Sequence, residues 1–546
     1  MRTLNEPTPA ELEHFLPSIR EIVRELDVES GAPNMMDLLR RYPKAHGESF
    51  NKPYLSRAYR QLCAQGAFEY SHRVAKRFQV KKVRTISGVA PVTVLTKPFP
   101  CPGECVFCPT DHRMPKSYLP DEPGAMRALR HEFDPYEQVS NRIRSFYMNG
   151  HNTDKIELLI LGGTWSSYKK SYQRWFLQRC FDAMNGVDSE SLEDAHRINE
   201  TAQHRNVGIV IETRPDHVNP AEVRRLRQLG VTKVQMGAQT FDEDVLELNK
   251  RGHTAEETRM AVALLRSAGF KIVLHWMPNL LGATLESDRE DIDHFFGGDG
   301  AHPDELKFYP CSLLKNADLY QYWQRGEWEP YSDEEIIELA IESKSRVPKY
   351  CRINRVFREI PKPNIVVGCT QGNLRQVVQA EMKERGLQCA CIRCREIGWG
   401  TDISGPMELH CLDYETRFSR EKYLSFDTSE GRLAGYLRLS LPVPSATGRE
   451  LSAAIPELEG AALVREVHVY GPALALGDSS RGNAVQHMGL GRRLLSEAER
   501  IALDSGYRRL AIIASVGTRG YYGRRGYELD GTYMVRDLRE DLEETA

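Results

Sequence analysis

The sequence predicts an α/β protein: a partial (β/α)6 barrel joined to a smaller α+β domain. Three observations carry this. Between about residues 90 and 310, six short β-branched runs alternate with helical stretches, the pattern of a parallel sheet with crossover helices. An unusual segment follows each run, in the place where barrel folds keep their chemistry. After about residue 396 the rhythm changes to a strand meander and then a glycine-containing loop that opens a helix.

Residues 1–70 read as a small helical region, because PAELEHFLPSIREIVREL has apolar residues at helical spacing. Residues 71–310 form the barrel. Its strands are expected at 92–96, 156–161, 207–212, 233–236, 272–275 and 305–309. The segments CPGECVFCP, GGTWSSY, TRPDH, GAQT, MPNL and PCS follow them in turn. Residues 311–395 read as a connecting region with acidic helices, the basic run CRINRVFREIP and a second cysteine group. Residues 396–546 form the last domain: SREKYLSFD and RLAGYLRLSLP as a meander, then EVHVYG, a helix from Gly489, the strand RLAIIAS and the segment GTRGYYGRRGYEL.

Composition narrows the function classes. At roughly 150 residues per domain, 546 residues allow three to four domains, and the 41% apolar and 9% aromatic fractions exclude a disordered or fibrous chain. A net charge of −3 excludes a uniformly basic nucleic-acid coat but not a local patch. That patch lies in 71–100, which holds Arg73, Lys76, Arg77, Lys81, Lys82, Arg84 and Lys97 with no acid. It is either a surface for phosphate backbones or a solvated basic edge. No apolar run approaches the ~20 residues that span a bilayer. The start, MRTLNEPTPAELEHFL, lacks a signal-peptide layout. A cytoplasmic protein with no membrane partner, monomeric or homodimeric, is expected.

The 12 cysteines are too few for a disulfide scaffold. Cys101, Cys105 and Cys108 crowd into one Pro/Gly-rich loop, and Cys389, Cys391 and Cys394 into QCACIRC. Metal ligation explains both groups. For the first, C-x3-C-x2-C supplies three thiolates to a [4Fe-4S] cube and leaves one iron open; a structural zinc loop completed by His112 is the alternative. For the second, zinc needs a fourth ligand, and Cys311 at the end of the sixth strand is the candidate, with Cys369 or His410 as substitutes. Core burial of these thiols is the bland alternative. In the last domain, Gln486, Gly489, Leu490, Gly491 and Arg492 open a helix whose N–H groups suit an anion, or simply cap it.

These motifs carry a resemblance. The three-cysteine loop, with Phe107 before the last cysteine and Gly162-Gly163-Thr164 after the second strand, resembles the radical S-adenosylmethionine (radical SAM) family. The Gly489 loop, the strand at 466–470 and the Tyr521-Tyr522 pair resemble GNAT acetyltransferases. Their fusion, with RGHT at 251–254, CRINRVFREIP, CIRCRE and GTRGYY, is similar to the Elongator catalytic-subunit family in its stand-alone bacterial or archaeal form. The resemblance implies an acyltransferase that 5-carboxymethylates the wobble uridine of tRNA, with carbons drawn from acetyl-CoA. It implies that S-adenosylmethionine chelates the open iron, with Phe107 near its adenine and Gly162, Gly163 and Thr164 at its methionyl end. A deoxyadenosyl radical then removes a hydrogen from the acetyl methyl group, the carbon radical adds to the base, and hydrolysis of the thioester leaves a carboxymethyl group.

The resemblance also assigns acetyl-CoA contacts to Lys155, Glu466, Val467, His468, Val469, Leu490, Gly491, Arg492 and Tyr522, with Tyr521 beside it. Cys101, Cys105, Cys108 and Tyr522 stand as the catalytic set. The tRNA anticodon stem-loop is expected on Lys76, Arg77, Lys81, Lys82, Arg84, Arg355 and Arg358. The competing function is a protein lysine acetyltransferase whose iron–sulfur part is structural.

Overall fold

The computed structural model describes residues 7–28, 31–44, 48–80, 88–398, 405–470 and 489–539. Lys81, Lys82, Arg84 and Gln486 lie outside the described residues.

Four helices open the chain, at Pro9–Leu26, Met35–Arg41, Lys52–Ala64 and His72–Phe78. The first begins with a capping box in which Thr8 and Glu11 satisfy each other's free N–H groups. The four share a core of their own, with Ile19, Leu55 and Tyr59 at its centre and Val74 and Phe78 from the fourth helix. The helical region thus runs past residue 70 and includes Lys76 and Arg77, both exposed on that fourth helix.

The strands are β1 (Ala90–Leu95), β2 (Lys155–Leu161), β3 (Arg205–Thr213), β4 (Lys233–Gln239), β5 (Lys271–Trp276), β6 (Glu305–Phe308), β7 (Leu313–Leu314), β8 (Arg352–Arg355) and β9 (Ile365–Val367). They continue with β10 (Met407–Thr416), β11 (Ser419–Thr428), β12 (Leu433–Pro442), β13 (Ala461–Val469), β14 (Arg509–Ile512), β15 (Glu528–Asp530) and β16 (Tyr533–Asp537).

The first sheet has the order β1-β2-β3-β4-β5-β6-β8 and is parallel throughout. All six strands expected from the sequence are present, and β8 adds a seventh from the segment read as a connection. Residues alternate across the sheet as strand geometry requires. In β2, Ile156, Leu158 and Ile160 are buried among the helices, while Glu157, Leu159 and Leu161 face an interior cavity. Crossover helices such as Pro135–Met148, Lys170–Asn185 and Ala255–Ser267 cover the outside.

The second sheet has the order β10-β11-β12-β13-β14-β16-β15. β10 to β13 form an antiparallel meander, β13 and β14 run parallel, and β14 and β15 each pair antiparallel with β16. The helix Leu490–Asp504 makes the crossover between β13 and β14. The edge strand β10 goes unpredicted from sequence because most of its residues are exposed.

One apolar cluster runs through both sheets, from Val92 and Leu158 to Leu463, Ile513 and Tyr533. Charge crosses the same boundary. Arg465 donates two bonds to the Asp304 carboxylate, at 2.8 and 2.9 Å, with both side chains fully buried, and Arg438 lies 3.3 Å from Asp304. Burial opposes the Asp304 charge, yet the two guanidiniums hold its carboxyl well below the usual carboxylate range. Ser515 Oγ donates to Asn206 of β3 at 2.9 Å, and the Tyr533 hydroxyl donates to the Ala268 carbonyl at 2.7 Å.

Candidate active site

The barrel interior opens into a cavity of about 1200 Å³. Cys101, Cys105, Cys108 and Phe107 line one end; Val467, His468 and Tyr522 line the other.

The three cysteines sit on the loop after β1. Two arginines reach them. Arg251 Nη1 lies 3.0 Å from Cys105 Sγ, and Arg214 Nη1 lies 4.0 Å from it. Both arginines are buried. Arg214 is fixed by Asp216 at 2.9 Å and by the Arg251 carbonyl. Gly103 has no alternative in this packing, because a Cβ there would collide with the Arg214 guanidinium. The Arg251 guanidinium also lies 5.9 Å from the Phe107 ring centroid. Two buried cations aimed at a thiol demand negative charge, which thiolates bound to an iron–sulfur cube provide. Burial, helped by the neighbouring Cys105, pushes the Cys108 thiol up to about 11 when it has no metal to bind.

The donor set separates a cube from a single zinc ion. Four thiolates about 2.3 Å from one zinc must lie within about 4.6 Å of one another. Cys389, Cys391 and Cys394 come close to that demand, with ligand atoms all within 4.8 Å. Cys101, Cys105 and Cys108 do not converge to that degree among the described residues, and a cube with separate iron corners needs them apart.

After β2, Gly162 has φ +142° and Gly163 φ +87°. A Cβ on Gly162 would overlap Thr96 Oγ1. The Tyr168 hydroxyl secures the turn, lying 3.2 Å from the Gly162 carbonyl and 2.9 Å from the Lys97 carbonyl, which share its one hydrogen. Thr164 is buried with its Oγ1 3.7 Å from Cys101 Sγ. This is a cradle beside the cysteines that side chains would fill. Gln239, buried at φ +71°, lines the same region and leaves its Oε1 without a protein partner. An amino-acid group such as the methionyl end of S-adenosylmethionine meets free backbone and an unspent acceptor there.

The far end of the cavity is built by β13. Glu466 accepts from Lys271 at 2.5 Å, Tyr436 at 2.7 Å and Arg438 at 3.0 Å. Burial opposes its charge, but Lys271 and Arg438 hold its pKa at about 2. The Glu466 side chain is therefore consumed by the protein, and only its backbone is left for a ligand. His468 is held neutral, its pKa lowered by burial to about 4, and its Nε2 has no partner. Val469 approaches Gly491 at the start of the Leu490–Asp504 helix. That helix begins at Gly489, φ +68°, with no side-chain cap. Leu490 is buried in the core, Arg492 is exposed, and Tyr522 packs at 5.1 Å from Tyr521.

Several expected residues stand elsewhere. Lys155 is half-buried at the start of β2 and does not line the cavity. Cys311 is not with the second cysteine group; it is buried with Val106, Leu281 and Trp328 beneath the first. The end of β6 leads to the barrel mouth, away from Cys389, Cys391 and Cys394, so Cys311 does not join that group of thiols. Arg358 lines the cavity but is spent on Ser117 Oγ at 3.0 Å and Glu122 at 2.9 Å, so it braces the cysteine loop. Arg355 lines the cavity with only a loose contact to Glu359, at 3.8 Å.

A buried charge ladder goes unread from the sequence. Lys233 meets Glu157 at 2.7 Å and Glu305 at 3.5 Å; Lys271 meets Glu305 at 2.7 Å. Together with Gln235, His275 and Lys307 they line the barrel interior between the two ends. Their signal is the recurrence of polar residues at alternate positions of β4, β5 and β6 (Lys233, Gln235 and Gln239; Lys271 and His275; Glu305 and Lys307), in strands that would be apolar on both faces in a filled parallel sheet.

Comparisons with known proteins agree with this geometry. Residues 100–295 match the Radical SAM superfamily, and residues 303–384 match the Radical_SAM C-terminal domain. The chain is 44% identical to the tRNA uridine(34) acetyltransferase of Dehalococcoides mccartyi, over 84% of this chain and 99% of that one. It is 33% identical to Elongator complex protein 3 of Saccharomyces cerevisiae, over 98% of this chain and 99% of that one. A solved structure of the archaeal Methanocaldococcus infernus Elp3, with an N-terminal deletion (1–46), superposes with a TM-score of 0.72 at 38% identity and covers 83% of this chain and 100% of that one.

Proposed function

Because the chain belongs to the family of tRNA uridine(34) acetyltransferases and Elongator complex protein 3, we propose that it installs a 5-carboxymethyl group on the wobble uridine of tRNA, drawing on S-adenosylmethionine and acetyl-CoA. It is an acyltransferase with a radical SAM domain. The observation that carries the reading is the single cavity shared by the three-cysteine loop and β13. Two separate chemistries would not need a common chamber.

When bound, the cluster and S-adenosylmethionine supply a carbon-centred radical strong enough to take hydrogen from the acetyl methyl group. The chain's own residues bind, orient and exclude water. Cys101, Cys105 and Cys108 hold the cube. Arg251 and Arg214 balance its charge. The turn at Gly162 and Gly163 lets backbone approach the methionyl end. Val467, Val469 and the helix start at Gly491 and Arg492, which has no side-chain cap, suit the pantetheine and pyrophosphate of acetyl-CoA. Tyr522 closes the wall, and neutral His468 offers its free Nε2 as an acceptor. The uridine must leave its stack to enter the mouth, with Arg355 on the rim and Lys76, Arg77 and the basic run at Lys81, Lys82 and Arg84 holding phosphates. Cys389, Cys391 and Cys394 hold a zinc ion. Lys344 Nζ, 3.7 Å from Cys394 Sγ, offsets the thiolate charge. No helix among the described residues is long and apolar enough to cross a membrane, and action on tRNA fits a cytoplasmic site.

The test is anaerobic incubation of reduced enzyme with tRNA, S-adenosylmethionine and acetyl-CoA, followed by mass spectrometry of nucleosides. Carboxymethylated wobble uridine is expected from the wild type and none from Cys101→Ala. A Cys101→Ala variant that keeps acetylating lysines, beside a wild type that leaves uridine unchanged, favours the protein acetyltransferase instead.

A further inference from the structure

A ladder of aromatic rings runs outward from the barrel mouth. Phe99 stacks on Tyr168 with centroids 4.8 Å apart, Tyr168 on Tyr172 at 5.4 Å, and Tyr172 leans on Trp175 at 5.6 Å. Its inner end is fixed in the site: Tyr168 is buried and bonded to the glycine turn that borders Cys101. Its outer end is open, with Trp175 at 45% exposure. Cations surround it. Lys97 Nζ sits 5.0 Å from the Tyr172 centroid, and its backbone N–H donates to the Tyr172 hydroxyl at 3.2 Å. Lys169 and Lys170, at the start of the same helix, are exposed. None of these three lysines has an ion-pair partner among the described residues, although Arg174 beside them is paired with Glu193 at 2.7 Å.

Two costs are left standing here. A large indole is exposed to water, and Lys97, Lys169 and Lys170 near it have no counter-charge among the described residues. A single-stranded polyanion with flat bases relieves both, because bases stack on aromatic faces and phosphates neutralise the lysines. An apolar protein partner would cover the indole but leave the lysines buried and unpaired. The surface also begins where a nucleotide must turn into the cavity, so its occupant is continuous with the substrate.

We propose that this rim is a nucleic-acid stacking platform: a nucleotide flanking the one inserted in the cavity stacks on Trp175, and its phosphates lie on Lys97, Lys169 and Lys170. The platform rests on the tRNA reading above and extends the basic segment at 71–100, through Lys97, onto the helix Lys170–Asn185.

The experiment measures binding of an unmodified tRNA to the full chain across a salt series, alongside tRNA-independent cleavage of S-adenosylmethionine. Trp175→Ala is expected to weaken binding about ten-fold, with Trp175→Phe restoring most of it. The triple change Lys97→Gln, Lys169→Gln, Lys170→Gln is expected to lower the slope of log affinity against log salt by about two. Cleavage of S-adenosylmethionine stays at wild-type level in all of them, which shows an intact fold. Wild-type affinity and slope in both variants overturn the platform while leaving the tRNA reading in place. A Trp175→Ala loss with no change of slope in the lysine variant also overturns it, and marks an apolar protein contact. Failure of the wild type itself to bind tRNA overturns the underlying reading.

Discussion

Lys271 places its ammonium 2.5 Å from the Glu466 carboxylate, joining β5 of the barrel to β13 of the second sheet. The same ammonium meets Glu305 at 2.7 Å, so one buried cation serves two carboxylates from different sheets. Breaking a buried pair from one side strands the remaining charge and costs about 3–5 kcal/mol. Lys271→Met is expected to destabilise the chain by about that much, read from the midpoint of chemical unfolding. The double change Lys271→Met, Glu466→Gln should recover part of the loss. A single variant as stable as the wild type would remove the pair from the account of how the sheets hold together.

Arg251 contributes a buried positive charge 3.0 Å from Cys105 Sγ. Positive charge near a cluster favours its reduced form. Arg251→Gln should retain iron after anaerobic reconstitution but shift the reduction potential in the negative direction, measured by a spectroscopic redox titration. An unchanged or more positive potential contradicts this role.

Gly162 tolerates no side chain, since it combines φ +142° with a Cβ position overlapping Thr96 Oγ1. In Gly162→Ala, the turn beside Cys101 must move. Cleavage of S-adenosylmethionine should fall at least ten-fold while circular dichroism and iron content stay near wild type. Retained cleavage would show that the turn does not touch the cofactor.

Buried imidazoles set an acid limit on stability. Burial lowers His196 and His253 to about 3 and His468 to about 4, against about 6.5 in the unfolded chain. Between those values the unfolded chain binds protons that the folded one refuses. Unfolding free energy therefore falls as pH drops from about 6.5 toward 3, by about 1.4 kcal/mol per pH unit for each histidine. His196 packs edge-on against Phe181 at 4.6 Å, away from the cavity. His196→Phe should flatten the slope by one proton, measured by denaturant titration at stepped pH. An unaltered slope refutes it.

Removing one thiol of the second group tests its metal. Cys391→Ser is expected to lose one equivalent of zinc by elemental analysis while iron is unaffected. Zinc retained at full stoichiometry would assign it elsewhere.

The framework was readable because hydrophobic runs and punctuation repeat six times, and β1 to β6 stand within three residues of where the pattern puts them. β8 escaped because Arg352–Arg355 is short and basic; its Arg352 and Asn354 are half-buried and line the cavity. The cysteine and glycine loops were equally plain, since local spacing encodes them. What local spacing cannot encode is which side chains meet across the fold. Lys155 stands at the start of β2, and the lysines that line the interior between the two ends are Lys233 and Lys271. Arg358 looked free and is a brace. Cys311 looked like a distant ligand and is packed under the other loop.

The fully buried triad of Asp304, Arg438 and Arg465 makes the molecule indivisible. A chain severed between the halves would take Asp304 from two guanidiniums, leaving them only Glu466 and Glu421, and would leave a lone acid in the other fragment, each on a freshly wetted apolar face. Neither fragment should fold cleanly by itself. Engineers who want only the radical half or only the acyl half must redesign that seam before they can separate them.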